Sequence, residues 1–168
     1  MPLEQLANLA EVFGMLVVAI TLIFLTVQMR QNTKVLHSSV THSVHDQVGT
    51  QIYRPLAMDH SLADLFVRGL DDPSCLSPVE TGRFFAFWMN AVFTVQNWFY
   101  QWREGALDEA FWTSWSKILT NIHASPGFRL FWEQRKHLFT EEFTNYCEAE
   151  MFSKQPTPGY RPLGTPKA

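Results

Sequence analysis

Arg83, Asn90, Asn97 and Glu104 recur at intervals of seven, within and at the edges of the uncharged, aromatic-rich run FFAFWMNAVFTVQNWFYQW (84–102). Seven residues are about two turns of α-helix, so the four share one face, with Thr94 and Gln101 close beside them. Turned to solvent, that line is the polar side of an amphipathic helix. Turned inward, a guanidinium, a carboxylate and two amides could line a polar pocket and hold a small ligand, because buried polar groups need partners. These four are the ligand-binding candidates.

A second group, His37, His42 and His45 followed by Asp46, suggests metal chemistry. His42 and His45 are three apart and can face the same way, whereas His37 stands about 140° around a helix from His42. Zinc requires about four convergent ligands, and neither His-Glu-x-x-His, nor paired cysteines, nor the Glu-x-x-His of di-iron bundles is present. His42 and His45 are therefore weak metal candidates, more simply read as polar histidines on an exposed helix. No Gly-rich phosphate loop, Gly-x-Ser-x-Gly elbow or Cys-x-x-Cys occurs. No catalytic residue and no cofactor is expected, and the absence of an enzyme is favoured over its presence.

The elements that would position these residues begin with residues 12–29 (VFGMLVVAITLIFLTVQM), which carry no charge. About 18 residues of helix cover roughly 27 Å, close to the hydrocarbon thickness of a bilayer. A cleaved signal peptide would need a basic start and a small-residue cleavage site, and the opening Met-Pro-Leu-Glu-Gln supplies neither. A buried core helix is the remaining alternative. A retained span is expected, with Thr21 and Thr26 bonded back to carbonyls one turn earlier. Arg30 and Lys34 follow the span, and no Lys or Arg precedes it. Basic flanks stay cytoplasmic, so the N-terminus is expected outside a bacterial inner membrane and the bulk inside. Two cysteines, Cys75 and Cys147, fit a reducing compartment, and a net charge of −3 offers no footprint for nucleic acid.

Beyond the span the pattern is helical throughout. Leu36, Val40, Val44, Val48 and Ile52 recur every four residues, one narrow stripe that packs on a single surface, either its own bundle or a partner. The spacing predicts helices over 12–52, 61–70, 78–104, 109–123 and 126–152. Gly49 and Pro55 are expected to end the first, and Ser61, Ser77, Asp108 and Ser125 to cap the others. Ser77-Pro78-Val79-Glu80 is a capping box. The 14 Phe and 6 Trp supply large buried areas for a small core. The fold class is all-α: one N-terminal transmembrane helix continuing into a small cytoplasmic bundle. The expected divisions are 1–11 (tail and helix start), 12–29 (span), 30–153 (helical domain) and 154–168. That last segment, rich in Pro and Gly, is either disordered or extended along a partner.

One set of strings carries a resemblance. The segment Gly14…Leu22-Ile23-Phe24-Leu25-Thr26-Val27-Gln28-Met29-Arg30-Gln31-Asn32-Thr33 resembles the opening of a group of uncharacterised bacterial membrane-anchored proteins. In those, an apolar span runs into Gln-x-Arg-Gln-Asn-Thr. Arg68-Gly69-Leu70, Leu76, Glu80 and Arg83-Phe84 are similar too. So are Gly105-Ala106-Leu107-Asp108, Trp112, and Pro126-Gly127-Phe128-Arg129 with Trp132, Arg135 and Phe139. The likeness spans roughly residues 10–145. It implies an anchor and a helical domain and brings no activity. Asn97 stands where such sequences often carry a glutamate, which weakens carboxylate chemistry there.

The expected function is a membrane-anchored, non-enzymatic accessory or interaction subunit of a larger assembly. Its partners would be the lipid bilayer and other membrane proteins or a second copy. The alternative is a membrane-bound small-ligand sensor or enzyme using the polar stripe of 78–104. The topology has a direct check. Single cysteines at Leu3 and Ser153 should label from outside and inside the membrane, respectively, and periplasmic labelling at position 153 would reverse the orientation.

Overall fold

The computed structural model describes the backbone of residues 3–160, and the side chains of that range except 3–10, 12, 33–38 and 41. Every regular element among the described residues is helical. The chain divides into two compact units, Met1–Ser39 and Val40–Ala168. Helix α1 (Leu3–Gln47) runs through the first unit and supplies the opening of the second. Within the first unit, Phe13–Asn32 forms a 20-residue stretch long and apolar enough to cross a membrane, with none of it buried. Thr21 Oγ1 donates to the Val17 carbonyl and Thr26 Oγ1 to that of Leu22, both at 2.8 Å, as the sequence suggested. Such hydroxyls carry no unsatisfied donor into an apolar medium.

In the second unit the stripe of four-residue spacing turns inward. Val44 and Val48 are buried, with Val40 and Ile52 packed against the same core; the Leu36 side chain lies outside the described residues. A strict repeat of four drifts by about 40° per step on an α-helix. The chain corrects that drift with a π-helical turn, Val48–Tyr53, in which the Arg54 N–H reaches back to the Gly49 carbonyl. A wider turn holds more residues and rotates the face back. Gln47 and Gln51 therefore also point inward, accepting from the Trp98 indole at 3.1 Å and the Thr94 hydroxyl at 2.9 Å. The expected stop at Gly49 and Pro55 is thus corrected. Helical structure passes through Gly49, and Pro55 sits in the first turn of the short α2 (Arg54–Met58), where no N–H is required.

Helix α3 (His60–Asp71) is capped by Asp59, whose carboxylate accepts from Leu62 N–H, rather than by Ser61, whose hydroxyl donates to Asp59 instead. A 3₁₀ turn (Pro73–Cys75) leads to α4 (Pro78–Arg103), which starts at the full Ser77–Glu80 capping box. The following turn needs a left-handed residue, and Gly105 provides it at φ +71. Asp108 then caps α5 (Glu109–His123) by accepting from Ala110 and Phe111 N–H. Helix α6 (Pro126–Arg135) begins after Ser125, which has the extended backbone of a cap but makes no capping hydrogen bond.

The single helix expected over 126–152 is interrupted. After a 3₁₀ turn (Lys136–Leu138) the chain becomes extended at Phe139, and α7 (Glu141–Tyr146) follows, ending in a second π-helical turn, Cys147–Met151. The break lets Phe139 lie flat against Trp132, ring centroids 5.7 Å apart, while Gln96 of α4 accepts the Thr140 N–H at 2.9 Å. Residues 154–160 of the tail also lie on the unit: Thr157 N–H donates to the Asn121 side chain at 2.8 Å.

Aromatic side chains fill the interior. Trp98, Trp112, Trp132, Phe99, Phe128, Phe131 and Phe143 are all essentially inaccessible. The tightest approach in this packing is between backbones. A Cβ added at Gly127 would stand 1.8 Å from the Gly69 carbonyl oxygen, and one at Gly69 would stand 2.7 Å from the Phe84 ring. Helices α3 and α6 meet with no side chain between them. Gly127→Ala should therefore cost about 3 kcal/mol, the upper end of core overpacking. Gly82→Ala, on the open side of α4 with nothing within 4 Å of the new methyl, should instead stabilise by about 0.5–1 kcal/mol. Chemical denaturation of both variants, followed by circular dichroism, checks the contrast.

Candidate functional site

The seven-residue line on α4 lies on its solvent side. Arg83, Asn90, Asn97 and Glu104 are all exposed and line none of the described cavities. Arg83 Nη2 stands 3.5 Å from both Asp59 Oδ2 and Ser61 Oγ, a loose surface contact across to the start of α3. The two residues grouped with that line behave differently. Thr94 is buried and hydrogen-bonded to Gln51 and to the Asn90 carbonyl, and Gln101 has a buried Oε1 without a partner. Four residues beyond Asn90 and Asn97, they lie only about 40° around the helix, at the border between the solvent line and the packed face.

His42 and His45 are exposed, and His45 meets the edge of Phe111 with ring centroids 5.5 Å apart. The His37 side chain lies outside the described residues. Among those described, no three His, Cys, Asp or Glu side chains converge as a metal site would require. Several potential nucleophiles are engaged elsewhere, although the Cys75 thiol is exposed. Burial pushes the Cys147 thiol well above its usual pKa, so its thiolate is disfavoured. Ser116 donates to the Trp112 carbonyl, while Ser61 and Ser74 meet Asp59 and Asp72 within turns that begin helices. Burial, followed by the Arg129 charge, lowers the His123 pKa, and the ring stacks on Phe152 at 3.9 Å.

Two hollows differ in character. One of about 290 Å³, between α5 and the C-terminal π-helical turn, is lined by Glu109, Lys117, Glu150 and Lys154, whose charges compensate. The other, of about 180 Å³, is lined by fifteen residues, none of them charged. Its walls come from the first π-helical turn and α2 (Ile52, Leu56), from α4 (Trp88, Ala91, Val95), from α5, and from Tyr160 of the tail. Sequence reasoning missed this cavity, because its walls come from segments more than a hundred residues apart. The one local signal was an aromatic residue, Tyr160, in a tail rich in Pro and Gly.

A charged cluster ties three elements together beside this core. Arg68 of α3 reaches Asp64 Oδ2 through Nε at 2.8 Å and Glu80 Oε1 through Nη2 at 2.7 Å, and lies 4.0 Å from Cys75 Sγ. Glu80 uses its other oxygen to accept the Ser77 N–H at 2.9 Å. The capping box of α4 and the ion pair to α3 thus share one carboxylate.

Comparison with protein-family models, curated proteins and solved structures found no match. The strings on which the resemblance rests fall largely at structural positions of this chain. Gly69 and Gly127 make the backbone contact, and Arg68 and Glu80 make the ion pair. Gly105 and Asp108 form the α4–α5 turn, while Arg135 lies 5.1 Å over the Phe85 ring.

Glu80 should also govern part of the acid response. The Arg68 guanidinium, then the Ser77 hydrogen bonds, hold its pKa at about 2, below the 4.5 of a free glutamate. A carboxylate depressed on folding contributes stability that is complete above 4.5 and lost as pH falls toward 2. Glu80→Gln should be less stable than wild type near neutral pH, and the gap should narrow from about pH 4.5 and close as pH falls to the folded-state pKa of about 2. Urea unfolding across this range measures it.

Proposed function

We propose that this protein is a membrane-anchored, non-enzymatic helical module serving as an accessory or interaction subunit of a larger membrane protein assembly. The observation that carries this is the Phe13–Asn32 helix, 20 apolar-rich residues with none buried. Large apolar side chains such as Phe13, Ile23 and Met29 are each more than 60% exposed, and an apolar surface of that extent calls for lipid or protein cover. The charge asymmetry of its flanks, Arg30 and Lys34 after and no basic residue before, favours an outside N-terminus and a cytoplasmic domain in a bacterial inner membrane.

Two features favour interaction over chemistry in the folded unit. The polar groups of the α4 line diverge into solvent instead of converging on a substrate-sized space. The Ser61 and Ser116 hydroxyls are engaged in local bonds and the Cys147 thiol is sealed by burial. Within lipid, where apolar burial gives no driving force between helices, the span would associate through packing. Selectivity would then come from the helical domain.

A small-ligand role is the second possibility, and the uncharged cavity favours it more than the α4 stripe does. Purification of the unmodified chain from native membranes in mild detergent, with native mass spectrometry, tests the leading proposal. A stoichiometric membrane protein partner or a second copy is expected. A monomer without any protein partner would remove the case for a subunit.

A further inference from the structure

Along α1, the residues Gly14, Val18, Thr21, Leu25, Gln28 and Asn32 follow one another in alternating steps of four and three. That alternation keeps them on one side of a helix and is the spacing of a seam along which two helices supercoil. The seam runs the length of the Phe13–Asn32 stretch, and all six residues are exposed. Its composition differs from that of the far side, where Leu16, Ile20, Ile23 and Val27 stand with Arg30. The seam holds the single glycine of the stretch, and nothing lies within 4 Å of where a Gly14 side chain would be. Small residues let helix backbones approach closely where spans meet in lipid.

Gln28 is the polar member that the chain itself leaves unmet. The Thr21 and Thr26 hydroxyls return to carbonyls of their own helix. The Gln28 amide has no hydrogen-bond partner among the described residues. Gln28 stands about 8 Å of helix rise from the midpoint of the stretch, inside the roughly 15 Å half-thickness of a hydrocarbon core. Side chains on a helix lean toward its N-terminus, so this amide leans toward the middle of the span and away from the nearer interface. An amide placed there without a partner is costly.

Symmetry decides what can meet it. Two copies inserted in the same direction place equal residues at equal depth, and a two-fold axis along the membrane normal sets position 28 opposite position 28. A primary amide carries both donors and an acceptor, so each Gln28 supplies what the other lacks. A span of another protein would need its own polar group at that depth and on that face. Arg30 stands about 160° around the helix from Gln28, so these cations point away from the seam and do not oppose one another.

We propose that the span pairs in parallel with a second copy of this chain along the Gly14–Asn32 seam, with a reciprocal Gln28 amide pair as its polar contact. The pairing presupposes the membrane anchor of the proposed function and identifies what the span meets. The test uses the full chain, labelled at the exposed Cys75 with a donor dye in one population and an acceptor in another, in phosphatidylethanolamine–phosphatidylglycerol vesicles. Flotation on a density gradient first reports whether the chain is anchored. Energy transfer should then rise with the protein-to-lipid ratio and fall when unlabelled chain is added in excess. Gln28→Leu should raise the dissociation constant about 3- to 30-fold, the range of one hydrogen bond between spans. Gln28→Asn should retain most of the affinity, and Ile23→Ala on the far side should leave it unchanged. In a Cys75→Ser background, Leu25→Cys should form a disulfide-linked dimer under copper–phenanthroline and Ile23→Cys should not. A chain that floats without saturable transfer, or Gln28→Leu pairing as tightly as wild type, overturns the proposal and leaves the anchor standing. A chain that does not float overturns the anchor as well. A different membrane protein recovered in place of a second copy would uphold the subunit role while overturning this pairing.

Discussion

The helical domain is organised around a place where two backbones touch. Gly127 at the start of α6 stands so close to the Gly69 carbonyl of α3 that no side chain fits between them. Bringing those axes together has several effects at once. It presses α3 against the Phe84 ring of α4, and it leaves Arg68, the residue before Gly69, free to bridge Asp64 and Glu80. It also starts α6 at the depth where Phe128, the residue after Gly127, meets Trp88 edge-on. The capping box, the ion pair and the aromatic packing then follow from one close crossing. Interiors at crystal-like density transmit such constraints, because there is no empty space to absorb a displaced atom.

Around that crossing the protein must reconcile large aromatic area with the polar atom that each indole carries. It does so with long-range pairs, in which a glutamine from the end of α1, a tyrosine of α7 and a glutamate of the final π-helical turn each meet a buried tryptophan. These pairs do more than satisfy a donor. Each joins segments distant in sequence, so the hydrogen bond also fixes the register of one helix against another. The buried Trp88 indole, which has no partner among the described residues, is conspicuous because the same molecule solves the problem three times elsewhere.

Much of this architecture was legible because it rests on local chemistry. Ser77-Pro78-Val79-Glu80 announced the start of α4, Asp108 that of α5 and Gly105 the turn between them, since caps and left-handed residues act within a few positions. The failures have equally physical causes. The four-residue spacing from Val40 to Ile52 was visible, but its meaning, a face kept straight by a π-helical turn, required knowing that both ends pack on the same core. The break at Phe139 has no Gly or Pro to mark it and is created by tertiary contacts with Trp132 and Gln96. Ser61 looked like a cap, yet Asp59 two residues earlier took the role, a local competition between two good acceptors. Of the candidate sites, the solvent line on α4 was readable as one of two orientations. The cavity was not readable, since no short-range pattern links Ile52, Trp88 and Tyr160.

The two thiols have very different surroundings, and this gives the molecule a built-in spectroscopic handle. Cys147 is sealed within the core, while Cys75 is exposed in the 3₁₀ turn between α3 and α4. A nitroxide or fluorophore delivered as a maleimide to the unaltered folded chain therefore attaches at one site only. That site sits beside the Arg68 cluster, where the tether of the dye senses whether α3 and α4 remain clasped. Reaction at Cys147 would require the core to open, so the ratio of one to two labels per chain becomes a count of folded against unfolded molecules.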